Sequence, residues 1–178
     1  IMNEEQLKGL INELVKQPNE SEWVEFKHNF HSAEEIGERI SALANGACIH
    51  NQPFAYLVFG VEDITHQIKG TTFKAKSHRK NSEDLESRLA TRLNPRIDFQ
   101  VYEFNYDANR HISIYVIPAT KAQPVEFLNR AYIRVGSITR KLNEFPEKQA
   151  KIWKKETIAF EKEIAMDNLA VSDVAKYL

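Results

Sequence analysis

The feature that most constrains the fold is an apolar run at residues 54–61, FAYLVFGV. The run shows no alternation between apolar and polar residues. Such a run is typical of a central strand that is covered on both faces. The rest of the chain must therefore supply layers on either side of the sheet.

Helical periodicity before and after this run supplies those layers. Residues 4–17 place their apolar side chains on one stripe, and Ser32 with Glu35 forms a capping-box pattern at the start of a second helix. A third helix, at 85–93, carries leucines on one face and is stopped by Pro95. The sequence thus predicts three helices in its first half.

Further strands are predicted near residues 23–26, 98–105, 111–117, 124–127 and 131–135. The order of elements indicates an α+β fold, a mixed sheet with helices packed on it. We place the main domain at 1–145 and a C-terminal helical extension at 146–178. The final residues, VSDVAKYL, predict the start of a further region of a longer protein.

The cysteine content and hydropathy set limits on the class of protein. Cys48 is the single cysteine, so neither an internal disulfide nor a cysteine-based zinc site is expected. A reducing cytoplasm suits such a chain. No apolar run approaches the length of a membrane span, so no membrane partner is expected.

The net charge of −1 conceals an uneven distribution. Residues 1–63 hold 4 Lys and Arg against 11 Asp and Glu, whereas residues 64–141 hold 14 against 7. An acidic first third and a basic middle could combine a cation site with a surface that follows phosphates. Mutual neutralisation of the two parts explains the same numbers equally well.

Residues 20–27, ESEWVEFK, carry the first candidate site. Glu25 and Lys27 are two apart on a predicted strand and share a face, where a carboxylate and an ammonium can hold a metal ion and a phosphate. Glu20 lies an odd number of residues earlier and converges on them only if the chain turns near Ser21. A surface ion pair on an edge strand is the simpler explanation.

Asp63 directly follows the predicted central strand. The carboxyl ends of central strands often hold ligand sites in α/β folds, and Gly60 would let a backbone or a ligand approach closely. An ordinary turn aspartate explains the same position.

Two basic segments are candidates for phosphate binding. The first, at 132–142, surrounds a glycine turn with Arg134, Ser137, Thr139, Arg140 and Lys141. The second is a loop that contains Lys74, Lys76, Arg79 and Lys80. No aromatic residues interleave with this loop, so we expect no base stacking from it. An exposed basic hairpin without a ligand is the alternative for the first segment.

The ordered motifs together resemble a known family. ESEWVEFK, SALANG, FGVED, Gly70, NPRID and YIRVGSITRKL follow one another over residues 15–145. This series is similar to the AlbA-like nucleic-acid-binding domain of the Schlafen type, which also occurs in many bacterial proteins labelled as transcriptional regulators. One departure is the stretch ALANGACIHNQPFAYLVFG, which lacks the diglycine that usually precedes the central strand.

The resemblance implies a mixed α/β domain, and some members resemble metal-dependent endoribonucleases that act on structured RNA. It places three carboxylate metal ligands on Glu20, Glu25 and Asp63, with Lys27 in the EFK element. Mg or Mn is implied only if the chain is a nuclease, and the zinc site of animal members is not expected.

Three functions stay open from the sequence. The first is a nucleic-acid-binding domain, for DNA or RNA, in a larger bacterial regulatory or defence protein. The second is a divalent-metal-dependent endoribonuclease. The third, a nucleotide (ATP)-binding domain, is the least favoured because the chain has no phosphate-binding loop. A homodimer is an open alternative to a monomer.

Overall fold

The computed structural model describes residues 1–18, 21–121, 123–155, 162 and 164–166. The helices are α1 (Glu4–Leu14), α2 (Ala33–Ile49) and α3 (Leu85–Thr91), with a 3-10 turn at Leu142–Glu144 and further helical residues at 146–155. The strands are β1 (Val24–Lys27), β2 (Phe54–Phe59), β3 (Arg79–Lys80), β4 (Glu83–Asp84), β5 (Leu93–Asn94), β6 (Gln100–Asp107), β7 (Arg110–Pro118), β8 (Glu126–Phe127), β9 (Arg130–Val135) and β10 (Ile138–Lys141). The predicted α+β class is confirmed.

The main sheet has the strand order β1-β2-β7-β6, with β2 in its interior as predicted. β1 pairs with β2 in parallel, and the other two pairs are antiparallel. Alternate residues of β2 enter different cores. Leu57 and Phe59 pack with α2, and Val58 packs with α1 on the opposite face. Both faces of the central strand are therefore covered.

A second sheet, β10-β9-β8-β5, is antiparallel throughout. Its connection to α2 is polar and buried. The Asn45 side chain accepts from the backbone N–H of Val125 and donates to the carbonyls of Val125 and Tyr132, while the Ser41 hydroxyl donates to Val125. These bonds give the SALANG motif a structural role, because they satisfy backbone groups that would otherwise be buried without partners.

Two glycines of α2 permit close packing. A Cβ at Gly37 would lie 2.2 Å from the Phe127 ring, and one at Gly46 would lie 2.3 Å from the Glu22 carbonyl oxygen. The helix can therefore contact both β8 and the segment before β1 at distances that a side chain would prevent.

Three predicted details were wrong. α1 ends at Leu14 rather than at residue 17. α3 ends at Thr91, because Leu93 pairs with Phe127 in β5 instead of extending the helix. Ser32 caps α2 as predicted, but the Glu35 carboxylate pairs with Lys27 and Arg39 and leaves the capping box half formed.

Helical residues 146–155 pack on the domain through the fully buried Ile152, which lies with Cys48, Ile133 and Leu142 in a third apolar cluster. The predicted further helical unit at 167–178 lies outside the described residues. Within the described part of the chain, no helix combines the length and the apolar character that crossing a membrane requires.

Candidate nucleic-acid interface

The candidate interface lies where β1 and β2 end. Because these strands are parallel, their carboxyl ends meet at one edge of the sheet, the usual place for ligand sites in such sheets. The Asn29 side-chain oxygen, just after β1, accepts from the Thr71 hydroxyl at 2.7 Å and from the Thr72 backbone N–H at 3.2 Å. These bonds join the segment after β1 to the basic loop.

Gly60 fixes the path of the chain beyond β2. Its φ of 111° suits glycine, its N–H donates to the Lys27 carbonyl, and its carbonyl accepts from the N–H groups of Lys69 and Gly70. A Cβ here would lie 3.0 Å from the His111 carbonyl oxygen. The predicted close approach at Gly60 is therefore an approach of backbone.

An aromatic cleft of about 480 Å³ opens beside this junction. It is lined by Asn29, Phe30, Thr72, Phe73, Lys74, Ser77, His78 and Arg79. The Phe30 and Phe73 rings are stacked with centroids 4.7 Å apart and planes 12° apart, and the His78 ring lies 4.5 Å from Phe30. The cleft thus has an aromatic floor and a polar margin.

Two exposed cations line the aromatic cleft, Lys74 and Arg79; Lys76 and Lys80 are close to them in sequence, and Lys69 lines a neighbouring cleft. We call these five cations the basic rim. Among the described residues, none of the five takes part in a salt bridge. Arg79 donates to the Ser82 carbonyl instead. The rim therefore keeps charge that phosphate groups could neutralise.

Acidic side chains adjoin the rim. Glu103 accepts from the backbone N–H of Lys76, Glu34 pairs with Arg88, and Asp84 caps α3. Hydrogen bonds with Ser87 hold the pKa of Asp84 below its ordinary value. Of these carboxylates only Glu34 has a salt-bridge cation of its own, whereas Asp84 is held by neutral donors and lies opposite Arg79 in the β3–β4 pair. The five cations of the rim outnumber these three carboxylates, so an excess of positive charge remains.

Glu25 lies in a different setting, which we call the internal ion cluster: Glu25, Arg39 and Arg134. Glu25 Oε1 is 2.6 Å from Arg134 Nη1, and Oε2 is 2.9 Å from Arg39 Nε in an ion pair that lacks hydrogen-bond geometry. Arg134 Nε also donates to the Ser21 carbonyl at 2.9 Å. The cluster joins β1, α2 and β9.

Burial raises the pKa of the Glu25 carboxyl, while the charges of Arg134, Arg39 and Lys27 oppose that rise. Lys27 shares the face of Glu25, as predicted, and its ammonium is 2.7 Å from Glu35 Oε1. The pKa of Glu35 is lowered: its partial burial acts to raise the pKa, but the hydrogen bond and charge of Lys27 outweigh burial. A chain of alternating charges thus runs from Lys27 to Arg134.

The predicted metal ligands are only partly placed. Glu20 lies outside the described residues, and Asp63 is exposed in the turn after Val61. Both oxygens of Glu25 already face guanidinium groups, so a divalent ion would have to displace them. In this arrangement Glu25 does not fit a metal site, and the triad stays a prediction. The described residues contain no group of three His, Cys, Asp or Glu side chains placed to hold a metal.

The predicted basic segment at 132–142 is divided by burial. Arg134 is only 2% exposed and is committed to Glu25, whereas Ser137, Arg140 and Lys141 are exposed. Arg140 pairs with Glu144 at 2.9 Å. Thr139 is partly buried, and its hydroxyl has no hydrogen-bond partner among the described residues. This segment offers less free charge than the basic rim.

Sequence reasoning missed Asn29, Phe30 and Lys69. The absence of base stacking from the basic loop itself stays a prediction, but the fold brings an aromatic ring to that loop from elsewhere, because Phe30 in the distant segment after β1 stacks on Phe73. The signal for Phe30 is the short stretch HNFH, which directly follows EFK in the sequence.

Comparisons with known proteins agree with this fold. The DIP2311 protein from Corynebacterium diphtheriae has a solved structure that matches 77% of this chain with a TM-score of 0.50 and 20% identity, which shows likeness of fold alone. The chain spans only 26% of that protein. None of the curated proteins matches the chain. The family model described as Schlafen, AlbA_2 matches residues 20–143, more than half of the sequence, and the chain therefore belongs to the Schlafen, AlbA_2 family.

Proposed function

We propose that the domain binds nucleic acid through the basic rim and the aromatic cleft. The observation that carries this proposal is the excess of exposed cations in the rim, none of which forms a salt bridge among the described residues, beside a cleft lined by stacked aromatic rings. Counterion release from phosphates supplies most of the affinity of such a surface. Membership in the Schlafen, AlbA_2 family supports the same general role.

The finer setting is also part of the proposal. The domain would serve a larger bacterial regulatory or defence protein, located in the cytoplasm, with DNA or RNA as the ligand. A homodimer and the domain boundary at residue 145 stay predictions.

Binding across a salt series tests the proposal directly. Labelled DNA and RNA, single-stranded and duplex, are titrated with the wild type by fluorescence anisotropy. We expect log affinity to fall linearly with log salt concentration. Replacing Lys74, Lys76 and Lys80 by Gln should lessen the slope by about 2, because each lost phosphate contact contributes about 0.7 to 0.9.

A matched control removes the same charge elsewhere. Lys16, Lys151 and Lys154 are exposed and lie outside the cleft, so their triple replacement by Gln should leave most of the salt dependence intact. Absence of salt-dependent binding by the wild type would overturn the proposal. Equal losses in the two triple variants would remove its link to the rim.

Metal-dependent RNA cleavage is the second candidate, as the sequence resemblance implies, and it requires a divalent ion to displace the guanidinium groups of Arg134 and Arg39 from Glu25. Labelled tRNA with Mn²⁺ or Mg²⁺ tests it in the wild type and in Asp63→Asn and Glu25→Gln. Asp63 is exposed, so its variant should fold normally. A nuclease of the predicted kind loses cleavage in both variants, and equal cleavage in all three proteins would contradict it. Nucleotide (ATP) binding stays a prediction, and no residues are assigned to it.

A further inference from the structure

Phe30 is partly buried and lines the aromatic cleft. Its centroid distances to Phe73 and His78 are 4.7 and 4.5 Å, and those two rings are 6.1 Å apart. The three centroids form a nearly right-angled triangle with Phe30 at the corner. His78 therefore lies beside the Phe30 ring rather than over the face opposite Phe73, and the ring contacts of the described residues leave that face without a stacked partner.

The neighbouring Asn29 is held with its donors available. Its side-chain oxygen accepts from the Thr71 hydroxyl, the Thr72 N–H and the Thr72 hydroxyl. The backbone N–H donor fixes the orientation of the amide, so its NH₂ group is left over. No hydrogen bond from that group occurs among the described residues. A fixed amide donor beside an aromatic face suits the polar edge of a nucleobase.

The dimensions and charge of the cleft suit the same ligand. Its volume of about 480 Å³ lies in the range of small-molecule pockets, about 300 to 1,000 Å³. A second cleft, which holds Lys69 and His28, shares Asn29 and Thr72 with it. A base in one cleft would therefore place the adjoining phosphate near cations of the other.

From these features we infer that Phe30 stacks on an unpaired base, so that the ligand of the aromatic cleft is single-stranded nucleic acid. This inference rests on the proposed function and makes it more specific. In a duplex both faces of each base are already stacked, whereas an unpaired base offers a free face to an aromatic side chain. The shared chemistry is an unpaired base with its phosphate, from DNA or from RNA.

The test uses oligonucleotides that contain a fluorescent adenine analogue whose emission is quenched on stacking. DNA and RNA of the same sequence are compared as single strands and as duplexes. The wild type should quench the single strands and bind them more tightly than the duplexes. Phe30→Leu keeps an apolar side chain but removes the aromatic face, and it should weaken single-strand binding roughly fivefold or more. The loss of affinity for the duplexes should be smaller than the loss for the single strands.

Phe30→Tyr is the matched rescue, because it restores the ring and should restore both quenching and affinity. Thermal melts check that the variants fold. If Phe30→Leu does not fold, the test is whether the wild type quenches the adenine analogue in single strands. Absence of that quenching would overturn the inference. Equal single-strand affinity of folded Phe30→Leu and wild type would also overturn it, while salt-dependent binding would leave the proposed function standing. Absence of all salt-dependent binding would reject the proposed function itself.

Discussion

In the internal ion cluster each arginine faces a carboxylate, whereas no lysine of the basic rim has a salt-bridge partner among the described residues. The difference follows from solvation. A buried charge without a partner costs several kcal/mol, so a cation enters the interior only with a carboxylate opposite it. An exposed lysine is stabilised by water and can stay unpaired. Exposed charges without a partner are available to bind phosphates, whereas buried ion pairs join helices and strands to one another.

The largest effect is expected from replacing Arg134 in the internal ion cluster. Arg134→Met leaves the Glu25 carboxylate buried with one cation fewer, and we expect the free energy of unfolding to fall by about 3 kcal/mol or more. Urea titration measures the loss. Glu25→Leu in the same chain should recover much of it, because an apolar pair replaces the broken ion pair. Arg140→Met is the control on the same hairpin, and its exposed pair with Glu144 should contribute less than about 1 kcal/mol.

The same variant separates two roles for Arg134. If Arg134→Met stays as stable as the wild type but loses nucleic-acid binding, the sequence-based assignment of this residue to phosphate binding would be right and the buried role wrong. We expect the reverse, a loss of stability with the salt slope of the folded protein unchanged.

Asn45 tests how much stability is lost when backbone groups in the interior lose a neutral hydrogen-bond partner. Asn45→Ala would leave the Val125 N–H and the Tyr132 carbonyl buried without their side-chain partner, and we expect about 2 kcal/mol of destabilisation. Thermal and urea unfolding measure it. Asn12→Ala on α1 is the matched control, because Asn12 is exposed and, among the described residues, its side chain accepts from the Tyr106 hydroxyl alone. A loss at Asn45 no larger than at Asn12 would contradict the role given to the SALANG motif.

Replacing a single lysine tests the role of exposed charge in the basic rim. Lys74→Gln should leave stability within about 0.5 kcal/mol of the wild type. It should lessen the salt slope of nucleic-acid binding by about 0.7 to 0.9. Arg140→Gln removes an exposed cation that Glu144 already compensates, so its effect on the slope should be smaller. The opposite ranking would move the interface from the rim to the β9–β10 hairpin.

Much of the fold could be predicted because local patterns decide it. The helical stripe of α1 and the unbroken apolar run of β2 each fit one kind of structure, and the helix and the central strand are both confirmed. The end of α3 was not, because Leu93 fits a helical stripe but gains a strand partner in Phe127, far along the chain. Boundaries that depend on such long-range pairing leave no local signal.

The candidate site was harder to predict for the same reason. Arg134 belongs to a basic segment, and only the three-dimensional position of Glu25 explains why it points inward. Phe30 and Lys74 are distant in sequence, so the aromatic cleft has no contiguous motif. The pairing of Glu25 and Lys27 on one face was within reach, because alternation along a strand is local.

The smallest effect on stability is expected at Asp84, which caps α3 and lies near Arg79 of the basic rim. Its carboxylate accepts from the Ser87 N–H at 2.8 Å and from the Ser87 hydroxyl at 3.0 Å, which holds its pKa below the ordinary value of 3.8. Because the folded-state pKa is the lower one, this cap contributes stability above pH 3.8 and loses it as the pH falls through the folded-state value. The melting temperature of Asp84→Ala should therefore be slightly lower than that of the wild type at neutral pH, and the difference should narrow below pH 3.8.

Asp84→Asn keeps a capping side chain at every pH and should melt near the wild type at neutral pH. Since it also removes a negative charge near Arg79, it should tighten nucleic-acid binding slightly, whereas unchanged or weaker binding would argue that the charge of the rim does not govern affinity.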